Sequence, residues 1–94
     1  MKQNGYFVRY EKEEIMEAKE YYRKEALKIS HAYQQASALR FLAFFDHYYN
    51  IQEGNLSIED LIEKDTEYLQ ARNNLNRVEM KIQNYFNCKS KNRL

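Results

Sequence analysis

EGNLSIEDLIEKDTEYLQARNNL, residues 53–75, holds one of only two glycines in a 94-residue chain without proline, and the fold turns on what that glycine does. Gly54 suits the left-handed residue that ends a helix. Three positions on, Ser57 fits an N-cap, with Asp60 completing a capping box and with Leu56 and Leu61 in the two positions of a hydrophobic staple. Asp60 and Lys64 are four apart in the favourable order, and Glu59, Asp60 and Glu63 lie at the positive end of the helix dipole. These signals predict a tight turn over 54–57 between two helices. Replacing Ser57 by alanine is expected to cost on the order of 1 kcal/mol.

Outward from the turn, the second helix is predicted over about 58–87. Leu61, Tyr68, Leu75 and Ile82 repeat every seven residues, with Ala71, Val78 and Tyr85 repeating beside them, which is a coiled-coil-like seam. Asp65, Arg72 and Glu79 form a polar row at the same interval. The first helix is predicted over about 11–53. Along it Ile15, Ala18, Tyr22, Ala26, Ile29, Tyr33 and Ala36 make one apolar stripe, small residues alternating with tyrosines. Beyond Ala36 the pattern changes: Leu39, Phe41, Leu42, Ala43, Phe44, Phe45, Tyr48, Tyr49 and Ile51 surround most of the helix. A helix apolar on nearly all sides is buried on several, so this stretch demands a third element or other chains and predicts self-association.

The fold expected is all-α: a single domain over 1–94, built as a long antiparallel helical hairpin of coiled-coil type, with a basic tail at 88–94. GYFVRY, residues 5–10, alternates as a short strand would, or is a frayed helix start.

Lys and Arg number 15 against 14 for Asp and Glu. That balance gives no long-range field to gather nucleic acid. Lys89, Lys91 and Arg93 in CKSKNRL are expected to be a solvated tail. The single cysteine, Cys88, cannot form an internal disulfide, and no Cys/His spacing suits a metal. No signal-peptide pattern and no membrane-spanning run occurs, so the chain as written is expected in the cytoplasm. Catalytic, cofactor and metal sites are not expected. The carboxylates fall on helix faces interspersed with lysines, His31 and His47 are too far apart along a helix for one ion, and the neighbours Asp46 and His47 do not face one another.

The stretch from Gly54 to Leu75 resembles the periplasmic helical hairpin of TolC-like outer-membrane efflux proteins. Gly54, Ser57, Asp60, Leu61, Ile62, Tyr68, Leu69, Ala71, Arg72 and Leu75 stand without a gap at that family's turn positions. Lys64 and Asp65 stand where Ala-Gln is usual, and Leu56 stands where a basic residue is frequent. The resemblance implies that the break is the tip of an α-helical barrel. Gly54, Asn55, Leu56, Ser57 and Ile58 would then contact a periplasmic adaptor protein, with Asp60 and Glu63 as aperture acids, at the periplasm and outer membrane. A partial or truncated member, unable to form a channel alone, is the first function expected. The alternative is a small cytosolic helical module for protein–protein interaction.

Overall fold

The Lys-, Glu- and Ala-rich run after Tyr10 contains no breaker, and it forms the helix α1, Lys12–Leu27, whose first turn is fixed by the Glu14 carboxylate accepting from the Glu11 N–H at 2.9 Å. A computed structural model describes residues 9–63 and 67–92, with side chains as far as Lys89. Among these residues every regular element is helical: α1 is followed by α2, Ala32–Phe41, α3, Ala43–Gln52, α4, Ile58–Ile62, and α5, Tyr68–Asn92.

The expected continuous helix over 11–53 is interrupted. A straight helix of that length would run about 64 Å, whereas the longest dimension of the molecule is 39 Å. The first interruption, at 28–31, uses neither glycine nor proline. The Ile29 N–H turns to the Ala26 carbonyl at 3.0 Å, and the Gln35 side-chain amide donates to the carbonyls of Leu27 and Ile29, each at 3.2 Å. Gln35 thus satisfies acceptors that the broken ladder leaves open. The second interruption is slight: Leu42 keeps right-handed helical angles while the Leu42 N–H reaches Leu39 and the Phe45 N–H reaches Leu42, a tightened turn between α2 and α3.

The second predicted helix is also two segments, α4 and α5, and they pack against each other. Residues 64–66, which include Lys64 and Asp65, lie outside the described residues, as do residues 1–8. Of the stretch over 5–10 that carried the strand expectation, Arg9 and Tyr10 are described, and neither is helical. They are fastened to the end of α3: the Gln52 amide donates to the Tyr10 carbonyl at 3.1 Å, Arg9 donates to the Gln52 carbonyl at 2.9 Å, and Arg9 pairs with Glu53. At the other end α5 runs past the expected limit of 87 to Asn92, because no breaker intervenes and Lys89 pairs with Glu17 on α1.

The core forms where α1, α3, α4 and α5 meet. Ile15, Phe45, Leu61, Val78 and Ile82 are its largest fully buried side chains, with Ala18 and Ala71 allowing close approach between them. The apolar girdle of residues 39–51 finds its third element within the chain: Leu42, Phe45 and Tyr48 are buried, and Leu39, Phe41, Phe44, Tyr49 and Ile51 pack around them. The α1 stripe holds through Ala26 and fails past the break, where Tyr33 is 72% exposed. Tyr68 is half exposed, so the predicted seven-residue seam is buried at Leu61 and again from Ala71 to Ile82. α2 contributes no fully buried residue.

Candidate functional site

Two places qualify as sites, the Gly54 turn and a cleft. At the turn, Gly54 takes φ of 80°, in the region that penalises any side chain. The Asp60 N–H donates to Ser57 Oγ at 3.1 Å and the Ser57 N–H donates to an Asp60 carboxylate oxygen at 3.2 Å, which is the predicted capping box. Gly54, Asn55, Ser57, Asp60 and Glu63 are exposed and Leu56 is half-buried. Ile58 instead packs on the core, so it holds α4 in place as well as bordering the turn. Asp60, one of the two expected aperture acids, has its carboxylate engaged in the cap, whereas Glu63 takes no part in it.

The cleft was not visible in the sequence. It has a volume of about 970 Å³ and opens between the end of α1, α2, α3 and one face of α5. Its aromatic wall is Tyr22, Phe41 and Phe44, with Tyr33 also lining it. Phe41 lies 6.0 Å from Phe44 and 6.1 Å from the buried Phe45, so the wall is continuous with the core. Against this wall stand cations from α5. The Arg77 guanidinium sits 4.5 Å from the Phe41 ring centroid and the Lys81 ammonium 4.8 Å from that of Tyr22, close enough for cation–π attraction. The Tyr22 hydroxyl donates to the Lys81 carbonyl at 3.1 Å, and burial pushes its pKa up. At neutral pH the hydroxyl keeps its proton and ties α1 to α5 beside the cleft.

The histidines divide. His31 is exposed at the start of α2, whereas His47 lines the cleft with its ring edge-on to Phe44 at 5.6 Å. The neighbouring Asp46 points elsewhere and accepts from Lys19 on α1 at 2.9 Å. Asp46 and His47 therefore do not form an oriented acid–base pair. Among the described residues no group of three or more His, Cys, Asp or Glu is placed to hold a metal ion, and no helix is long and apolar enough to cross a membrane. Cys88 is exposed.

Of the polar row on the second helix, Asp65 lies outside the described residues and Arg72 is exposed. Glu79 is half-buried, and desolvation raises its pKa above the ordinary carboxylate value. On α3, the Tyr48 hydroxyl is buried with no hydrogen-bond partner among the described residues, and its pKa is raised by desolvation first and by the charge of Glu79 second. At the basic end, Glu17 accepts from Lys89 and from the Tyr85 hydroxyl, which lowers its pKa.

Comparison of this chain with protein-family models, with curated proteins and with solved structures gives no match.

Proposed function

We propose that this chain is a non-catalytic helical module for protein–protein interaction and that the cleft bordered by α2, α3 and α5 is its working surface. The observation that carries this reading is the cleft itself. About 970 Å³ of open space lies against an aromatic wall continuous with the core, with a tyrosine 72% exposed along it. Aromatic and arginine side chains around a concavity are the composition of interface hot spots, and a groove between helices is a usual seat for a partner helix. Selection of displayed helical peptides on the folded chain tests this, with binding mapped by amide chemical shifts. Selected peptides should perturb residues around Phe41, Phe44 and Arg77. Peptides that map to other faces, or a selection that yields none, would remove the cleft as the working surface.

One observation favours a tip function of the TolC-like kind. The left-handed Gly54 and the Ser57–Asp60 box shape a turn that leaves Asn55 exposed, as a contact tip requires. In that reading the chain is a partial member of the family, its partner is a periplasmic adaptor protein, and its location is the periplasm and outer membrane. Ile58 is a poor probe of it, since its replacement also disturbs the core. A photo-crosslinker at Asn55 is the better one: it should capture the tip of an adaptor protein, and capture from a position on the cleft wall alone would leave the turn as a turn.

A further inference from the structure

We infer that the cleft receives an acidic amphipathic helix of another protein, lying along α5; the inference rests on the cleft being the interaction surface. Gln70, Asn74, Arg77 and Lys81 all line it. Their spacing of four, three and four places them on one face of the helix. They cover about 16 Å of α5, three turns. Roughly a quarter-turn around the same helix, Ala71, Leu75, Val78 and Ile82 repeat this spacing and are buried by the chain's own helices. The cleft-side stripe is thus one continuous face of α5 that borders open space.

Charge sets the chemistry of the occupant. Arg40, Arg77 and Lys81 line the cleft and none makes an ion pair among the described residues. The one carboxylate in the lining, that of Glu25, is bonded to Lys28 at 3.0 Å. Stacking over Phe41 and Tyr22 holds the Arg77 and Lys81 heads in place, so less side-chain entropy is lost when they meet an anion. These two cations are four residues apart on α5, and carboxylates at the same interval on an opposing helix reach both. The lining is small and apolar at Ala26 of α1 and Ala38 of α2, which admits a close helix approach. A free small anion would satisfy the cations and leave the three-turn stripe and the apolar lining without a role.

The test uses three synthetic helices with one common Leu/Ala face and Glu, Gln or Lys at paired i, i+4 positions. Each is titrated into the full chain by fluorescence anisotropy and by amide chemical shifts. The Glu helix should bind tightest and shift residues 70–81. The double variant Arg77→Glu, Lys81→Glu, shown by circular dichroism to retain its helix content, should weaken the Glu helix by roughly tenfold or more and reverse the preference toward the Lys helix. Equal binding of all three in the cleft overturns the acidic partner while leaving the cleft as a helix dock. No binding in the cleft by any of them overturns both. Inorganic phosphate reproducing the same shifts and displacing the Glu helix would make the occupant a small anion. Concentration-dependent shifts of residues 70–81 without peptide would make it a second copy. Either of these also overturns the inference.

Discussion

Two neighbouring stripes of α5 share one spacing and have opposite chemistry. Ala71, Leu75, Val78 and Ile82 are buried against α1, α3 and α4, whereas Gln70, Asn74, Arg77 and Lys81 face the cleft. The buried stripe gains stability from apolar area removed from water, at about 25 cal/mol per Å². The cleft stripe adds little to folding, because exposed cations stacked on rings contribute on the order of 0.5–1 kcal/mol each. Every face of a helix has this spacing, so chemistry rather than spacing separates the face that the chain buries from the face that lines the cleft.

The largest effect that tests this contrast comes from adjacent residues on opposite sides of it. Val78→Asp places an unpaired carboxylate where the native side chain is fully buried, and its cost, several kcal/mol, is a large part of the total for a domain of this size. Arg77→Glu, one residue away, removes the stacking on Phe41 and should cost about 1 kcal/mol or less. Urea denaturation followed by circular dichroism measures both, and comparable losses would erase the distinction.

Tyr48→Phe sharpens the buried side. Its hydroxyl is buried without a partner among the described residues, so removing it should stabilise the fold by about 1 kcal/mol. A loss of stability would show that the hydroxyl is bonded in solution.

Gln35→Leu acts on the cleft side, where it removes both side-chain bonds at the 28–31 interruption. A loss of about 1 kcal/mol is expected. It should appear in hydrogen exchange as faster opening around α2, with the amides of α5 unchanged; uniform acceleration would mean that α2 and the core open together.

The smallest effect concerns Glu79, on the flank of the buried stripe away from the cleft. Its folded pKa is raised by desolvation. The stability associated with its protonated form is complete below the unfolded carboxylate value of about 4.3 and is lost as pH rises through the folded pKa. Glu79→Gln should accordingly raise the melting temperature slightly at neutral pH, with the difference vanishing in acid. A difference that grows in acid would reverse the sign.

The turn was legible because everything that makes it is local. Gly54, Ser57 and Asp60 lie within seven positions, and their backbone angle and hydrogen bonds follow from residue type. The buried stripe was legible for the same kind of reason, since Ala71, Leu75, Val78 and Ile82 carry their period in one helix. The interruption at 28–31 was not. Leu27, Lys28, Ile29, Ser30 and His31 contain no obligatory breaker, and the group that relieves the open carbonyls, Gln35, belongs to the next helix. Sequence by itself determined the all-α class, the place of the glycine turn and which side of α5 is buried from Ala71 to Ile82, because helix periodicity and capping act over one or two turns. Tertiary structure alone decided that the first helix folds back, that α1 and α5 cover the apolar girdle of α3, and that Tyr22, Phe41, Arg77 and Lys81 meet around one cleft. Such meetings join residues up to 59 apart in the chain, as Tyr22 and Lys81 are, and no local preference encodes a contact between surfaces that only packing brings together.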